Sequence, residues 1–435
     1  MTVELISVGT EILLGNIVNT NANYLSVKCA ELGFSLFYQV AVGDNAGRLS
    51  EVLKAALSRS DIVILTGGLG PTQDDLTKET VGEVLGRKLV MDEHSRERIR
   101  EYFNRVQYQN AGKSSEGKAS ESKAFAKITE NNWKQALMIE NCIVVDNENG
   151  TAPGYIVEEG EKRILLLPGP PSEMIPMFDQ HMLPYLRKLQ NKVFVSKMVK
   201  VCGIGESLAE TMLLDLIEGQ SNPTLAPYAK SGEVHFRVTA SADTKEEAQK
   251  MITPLLEELY RRFGMNIYAE EEEVSLEEVV VRLLADAGLQ LTTAESCTGG
   301  LLTGRLVNVP GASEVLREGF ITYSNESKCK YLGVNPDTLE SHGAVSEHTA
   351  REMAEGASRM TGCDAAIAIT GIAGPGGGTE NKPVGLIYIG CHVKGKTTIK
   401  ECRFRGNRQK VREQSVIYAL DLLRRCILEY TGAQK

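Results

Sequence analysis

Short apolar runs alternate with amphipathic stretches from the first residues of this chain, and that alternation restricts the fold more than any other feature. Val3–Val8, Ser35–Val42 and Ile62–Thr66 read as strands, while the segments around Asn21–Glu31 and Ala46–Ser58 repeat apolar residues at helical spacing. Strands separated by helices run parallel, because each helix carries the chain back across a face of the sheet. Residues 1–180 are therefore expected to form a doubly wound α/β domain. It closes with Arg163–Leu167, the turn Pro168-Gly-Pro-Pro171 and a helix started by Ser172 and Glu173. A polar helix around His94–Val106 leads into Gln107–Lys123, rich in Gly, Ser, Lys and Glu and without an apolar face, which reads as a mobile loop.

The pattern then changes. Over residues 190–268 it gives a strand (Val193–Val201), a helix (Glu206–Ile217), a strand (Glu233–Ala240) and a long helix (Thr244–Phe263), a small α+β unit. The acidic run Glu270–Glu273 reads as a solvated hinge. Ser275 with Glu278 spells a capping box, so a third domain, again α/β, is expected over residues 275–435. A chain of 435 residues has room for three such cores.

Composition removes several function classes. A net charge of −9 argues against a broad nucleic-acid surface. The nine cysteines form no C-x-x-C pair and no zinc spacing, which suits reduced thiols in the cytoplasm. No window approaches the roughly 18 uninterrupted apolar residues of a membrane span. A cytoplasmic protein without a membrane partner is the expectation.

Chemistry is concentrated in two places. In Thr293-Ala-Glu-Ser-Cys-Thr-Gly-Gly-Leu-Leu-Thr303 an apolar run breaks into hydroxyl residues and paired glycines before a helical pattern, so Ser296, Cys297 and Thr298 are expected at a helix entrance. Free N–H groups there would stabilise an oxyanion, and Ser296 or Thr298 could equally be the helix N-cap. Adjacent residues on an extended segment face opposite ways, so one of Ser296 and Cys297 faces a ligand. Tyr323 and Lys328, five residues apart, are both candidates for moving its proton. A histidine triad would have to recruit His342 or His348. Thr370-Gly-Ile-Ala-Gly-Pro-Gly-Gly-Gly378 carries five glycines in nine residues, more than a hairpin needs, and suits wrapping a ribose phosphate with Thr370, Gly371 and Gly374. Arg408 is the cation expected on that phosphate, with Arg405 and Arg412 as rivals.

The second place is Ile64-Leu-Thr-Gly-Gly-Leu-Gly-Pro-Thr-Gln-Asp-Asp-Leu-Thr77, a buried strand running into a helix. Thr66, Gly67, Gly68 and Gly70 would let a phosphate approach the backbone beyond the strand end. Asp74 and Asp75, with Glu11 from Gly9–Asn16, would hold a divalent cation such as Mg²⁺. One of the two aspartates is expected to cap the helix.

These motifs, with Gly319–Lys328, Lys382-Pro-Val-Gly385 and Gly406-Asn-Arg408, make residues 275–435 resemble the nicotinamide mononucleotide deamidase (PncC-type) domain of the CinA family. Gly150-Thr-Ala-Pro-Gly154 and Pro168–Pro171 resemble that family's version of the molybdopterin-binding (MoCF) fold. The resemblance implies Ser296 as nucleophile, Tyr323 in the site with Ser313 and Thr370 as hydrogen-bonding partners, and Lys328 in support, with no cofactor. It also implies a KH-like middle domain and a homodimer, although no Gly-x-x-Gly loop flanked by basic residues is present to clamp RNA. For the amino-terminal domain it implies hydrolysis of ADP-ribose to AMP and ribose 5-phosphate. Rival readings are a non-catalytic competence or DNA-damage accessory protein, and a molybdopterin-binding amino-terminal domain.

Overall fold

The computed structural model describes residues 1–111, 128–190 and 192–432, the side chains of residues 106–111 excepted. Most of Gln107–Lys123 lies outside them, and the helix before it, Glu93–Ala111, continues past the expected end at Val106.

Met1–Phe194 with Ala242–Thr244 forms one compact unit. Its six-stranded sheet has the order Ser35–Val42, Thr2–Val8, Ile62–Thr66, Lys162–Leu167, Gly154–Glu159, Ile143–Val145. The first four strands are parallel, and Gly154–Glu159 pairs antiparallel with both of its neighbours, Lys162–Leu167 and Ile143–Val145. The purely parallel expectation fails at that edge because only Gly160 and Glu161 join Gly154–Glu159 to Lys162–Leu167, a connection long enough for a hairpin and too short for a crossover. Successive residues of the central strands serve opposite faces. Leu5 and Ile64 pack with Leu25 and Phe178, while Ile6 and Leu65 pack with Leu49 and Leu53. Helices thus cover both faces, as doubly wound folds require.

Val195–Ser241 with Lys245–Lys435 forms the second unit. A five-stranded sheet orders Leu316–Ile321, Leu291–Glu295, Ala365–Gly371, Leu386–Val393 and Lys396–Arg403, the first three parallel and the rest antiparallel. Helices Leu276–Asp286 and Arg408–Thr431 close one face, and Glu347–Thr361 the other. The KH-like portion is a four-stranded sheet ordered Thr224–Lys230, Glu233–Ala242, Val193–Cys202, Ile267–Ala269. Its expected helix over Glu206–Ile217 is two, Glu206–Thr211 and Leu214–Glu218, because Leu213 leaves helical geometry (φ −117°) while its side chain is fully buried.

The acidic run is not a hinge. Lys200 Nζ donates to the carbonyls of Glu272 (2.6 Å) and Val274 (2.8 Å), and Arg237 pairs with Glu272 at 2.7 Å. Cys202, Tyr268 and Ala269 share a core with Leu276 and Ile417. The capping box forms as expected: Glu278 N–H donates to Ser275 Oγ, and Ser275 N–H to Glu278 Oε2. The two portions are also tied by charge. Buried Asp421 accepts from Arg424 Nη2 (2.7 Å) and Arg425 Nε (2.8 Å), while Arg424 donates to the carbonyls of Met265 and Ile267, and Arg425 to Asn266 Oδ1. Asp421→Ala strands a buried guanidinium and is expected to cost about 3 kcal/mol, seen as a lower urea midpoint by circular dichroism.

Candidate active sites

Two parallel strands end level at Glu295 and Ile321, the third runs two residues past that level from Ile369 to Gly371, and Ser296 is the first residue beyond the middle strand. Its N–H donates to Ile369 O at 2.9 Å, which fixes it beside Thr370. Lys328 reaches the same point from the helix Asn325–Leu332, whose N-cap Ser324 accepts the N–H of Ser327. The lysine is 1% exposed and Ser296 8%.

Lys328 Nζ contacts Ser296 Oγ at 3.1 Å, Thr322 O at 2.8 Å and Tyr323 O at 3.3 Å. Two of the three partners are carbonyls, which only accept; the hydroxyl can also donate. Either protonation state satisfies all three: an ammonium gives one N–H to each oxygen, and a neutral amine gives two to the carbonyls and accepts the Ser296 hydroxyl on its lone pair. Burial pushes the Lys328 pKa down, and among the described residues no carboxylate pairs with it. Of the two candidates for proton transfer, Lys328 is therefore the one in contact with Ser296. The neighbouring Cys297 is buried, and burial pushes its thiol up to about 12, which leaves it a poor nucleophile.

The helix after this turn begins at Leu301, and its N-cap is Gly300, so neither Ser296 nor Thr298 caps it. Glu295 does that work. Its fully buried carboxylate accepts the N–H groups of Gly300 (3.0 Å), Leu302 (3.1 Å) and Thr303 (2.8 Å) together with the Thr303 hydroxyl. The first N–H groups of the helix itself are thereby occupied and cannot serve an oxyanion, whereas those of Cys297 and Thr298, in the turn before it, are not taken by Glu295. Arg412 holds the same turn from the other side, donating to Cys297 O (3.1 Å) and Thr298 O (2.6 Å). Motif reading missed Glu295 and left Arg412 as a rival to Arg408 for the phosphate; an acid one residue before the candidate nucleophile was the available signal.

The other expected residues divide. Tyr323 stands 63% exposed at the rim, its hydroxyl accepting from Arg408 Nη2 at 3.4 Å. Arg408 also donates to Gly374 O at 2.8 Å, so it joins the glycine loop to Tyr323. Thr370 is buried, with its hydroxyl given to Ala344 O at 2.6 Å. Gly371 answers to packing, since a Cβ there would sit 2.7 Å from Leu386 O. Ser313 is not brought to Ser296. It lies exposed in the turn before Leu316–Ile321, at the amino ends of the strands, where Leu291 N–H meets Val315 O. Ser296 is at the carboxyl ends, a strand's length away. His342 and His348 stack on each other with ring centroids 4.0 Å apart, and neither bonds to Ser296.

In the amino-terminal unit a cleft of about 410 Å³ opens beyond the carboxyl ends of Thr2–Val8, Ile62–Thr66 and Lys162–Leu167. Glu11, Gly67, Gly68, Gly70, Asp74 and Asp75 line it; Thr66 does not, being buried at the end of its strand. Gly67 has φ +94°, and a Cβ there would meet Val8 O at 2.1 Å, while one on Gly68 would meet Thr77 Oγ1 at 2.2 Å and one on Gly70 would meet Asp75 Oδ2 at 2.5 Å. Packing and positive φ thus demand Gly67 and Gly68 before any ligand does, whereas at Gly70 only the end of the Asp75 side chain stands in the way. Neither aspartate caps the helix Thr77–Leu85. Asp75 accepts from Thr72 N–H at 2.9 Å, and Asp74, exposed, is held below the usual carboxylate range chiefly by Thr72. Lys134, which sequence reading passed over, pins this loop by donating to the carbonyls of Thr72 and Asp75. Glu173 also lines the cleft; half-buried, it accepts from Asn147 Nδ2 at 2.7 Å, and burial raises its pKa. The donors are hard oxygens suited to a hydrated divalent cation, although among the described residues no three His, Cys, Asp or Glu side chains converge on one point. No helix among them is long and apolar enough to cross a membrane.

Residues 4–188 match the model of a probable molybdopterin binding domain, 196–269 that of the damage-inducible protein CinA KH domain, and 273–427 that of the CinA C-terminal domain. The chain is 49% identical over 428 residues to a putative competence-damage inducible protein of Alkaliphilus oremlandii, covering 98% of this chain and 99% of that one. It is 50% identical over 429 residues to a CinA-like protein of Kosmotoga olearia, with 98% and 99% covered. Among solved structures it is similar to the competence/damage inducible protein CihA of Agrobacterium tumefaciens, at 42% identity, over 34% of this chain and 91% of that one, with a TM-score of 0.34.

Proposed function

We propose that this chain, which belongs to the CinA family, is a hydrolase of pyridine-nucleotide breakdown products with two sites. The carboxy-terminal site deamidates nicotinamide mononucleotide to nicotinate mononucleotide and ammonia; the amino-terminal site hydrolyses ADP-ribose to AMP and ribose 5-phosphate. The observation that carries the first activity is the contact between Lys328 Nζ and Ser296 Oγ, both on buried residues. A serine is a nucleophile only when a base takes its proton, and a lysine serves as that base only when desolvated.

The steps follow from that pair. As the Ser296 proton passes to Lys328, Oγ bonds to the carboxamide carbon and the carbonyl electrons move onto oxygen. Collapse of this adduct breaks the C–N bond, and the proton on Lys328 goes to the departing nitrogen, so ammonia leaves. Water then adds to the acyl ester through the same lysine, the ester C–O bond breaks with its proton returned to Oγ, and the nicotinate carboxylate is released. Arg408 at the rim, planar and permanently charged, supplies the cation for the substrate phosphate.

The amino-terminal reading rests on the charge of its cleft. Glu11, Asp44, Asp74, Asp75 and Glu173 line it, and no lysine or arginine does among the described residues. A pyrophosphate entering such a cleft is repelled unless a cation stands between. Glu11 and Asp74, the exposed carboxylates, would hold a divalent ion such as Mg²⁺, which neutralises the pyrophosphate oxygens and acidifies water. The half-buried Glu173, with its raised pKa, is placed to hold a proton near a leaving phosphate.

Ammonia release from nicotinamide mononucleotide by the purified chain tests the first reading. Ser296→Ala is expected to abolish it, and Lys328→Ala to lower it by about 100-fold or more. Because the neutral lysine is the active form, kcat/KM rises with pH through the Lys328 pKa, and burial places that rise below the value of about 10.4 of a free lysine. A folded parent that releases no ammonia returns the domain to the accessory-protein reading. Asp74→Asn is expected to cut AMP release from ADP-ribose by about tenfold or more while ammonia release stays unchanged.

A further inference from the structure

An amidase needs donors for the oxyanion of its tetrahedral intermediate, and the helix after Ser296 cannot supply them because Glu295 already takes its first N–H groups. The turn between the two has donors to spare. Among the described residues neither Cys297 N–H nor Thr298 N–H is bonded to a backbone carbonyl, and Thr298 Oγ1 is a further unpartnered polar atom on a residue with no exposed surface. Buried donors without partners are rare, and three on adjacent residues beside a nucleophile call for a ligand.

We propose that the backbone N–H groups of Cys297 and Thr298 are the oxyanion donors of the carboxy-terminal site and that Arg412 is the positioning residue that aims them. The proposal rests on the amidase reading given above. In a trans peptide the N–H points opposite to the C=O. Ser296 O is engaged by Gly299 N–H at 3.2 Å, so Cys297 N–H is turned away from Gly299. Cys297 O is engaged by Arg412 Nε, so Thr298 N–H is turned away from the guanidinium. Thr298 O, in the next peptide, is held by Arg412 Nη2 as well, so the guanidinium fixes two successive peptides of the turn. The N–H of the residue after the nucleophile is a recurrent oxyanion donor where a strand breaks into a helix through a tight turn. Arg412 gives Nε and Nη2 to two carbonyls of the turn, whereas Arg408, at the rim, bonds the glycine loop and Tyr323 and keeps the phosphate role given to it above.

Steady-state deamidation of nicotinamide mononucleotide by the full chain separates the roles. Arg412→Ala is expected to lower kcat by about 100-fold with KM changed less than about threefold, the signature of an interaction made in the transition state. Added guanidinium ion is expected to restore part of that kcat. Arg408→Ala is expected to raise KM and leave kcat nearly intact. A rise in KM at constant kcat for Arg412→Ala would make it a substrate cation and overturn the assignment, as would unchanged kinetics. Should Arg412→Ala fail to fold, Arg412→Lys retains one donor and reports the same split between kcat and KM. A parent chain that releases no ammonia removes the amidase reading and this proposal with it, whereas an active parent with an indifferent Arg412 removes this proposal alone.

Discussion

The carboxy-terminal site depends on a lysine buried without an acid. Taking an ammonium out of water is expensive, and a protein can offset the cost with a carboxylate or avoid it by letting the proton go. Here two backbone carbonyls and a serine hydroxyl surround Lys328 Nζ with no carboxylate among them, and burial lowers its pKa. A carboxylate beside it would stabilise the charged form and remove the base. The fold therefore has to bring a lysine to a nucleophile while keeping acids from it, and it does so by ending two parallel strands at one level and starting a short helix just beyond one of them.

Glu295 and Arg412 follow from the same demand. A turn that leaves a strand with its nucleophile exposed to substrate has few contacts of its own, so it must be held from outside. Glu295 secures the downstream end by capping the helix, and Arg412, from the helix Arg408–Thr431, secures the middle by its carbonyls. That helix also carries Arg408 at its first residue and Asp421 further along, so one element bears a rim cation, the turn clamp and the tie to the KH-like strand Ile267–Ala269. The KH-like portion is thus part of the scaffold of the site, which the acidic composition of Glu270–Glu273 hid.

What could be read from the sequence follows the range of each signal. Strand and helix alternation, the capping box at Ser275 and the placement of Ser296 after a strand are local, and each has its counterpart in the fold. The antiparallel edge of the amino-terminal sheet was legible in the two-residue connection at Gly160 but was outweighed by the parallel pattern before it. Pairings across long separations were not legible: Lys328 against Ser296 rather than Tyr323, Arg412 against Cys297, Lys200 against Glu272. Ser313 shows the converse limit, because a residue that belongs to a motif in sequence stands at the wrong end of a strand in space. The glycines at Gly67, Gly68 and Gly371 looked like ligand contacts, and backbone or side-chain packing accounts for them first.

The account turns on the protonation state of Lys328, and a direct titration of that one amine by nitrogen or carbon NMR, with Lys328→Arg to assign the signal, tests it most closely. A pKa well below that of a free lysine, moving when Ser296 is replaced by alanine, is the predicted result. A Lys328 that titrates at or above the free value of about 10.4 would contradict the account, because a permanently charged lysine could orient Ser296 but could not take its proton.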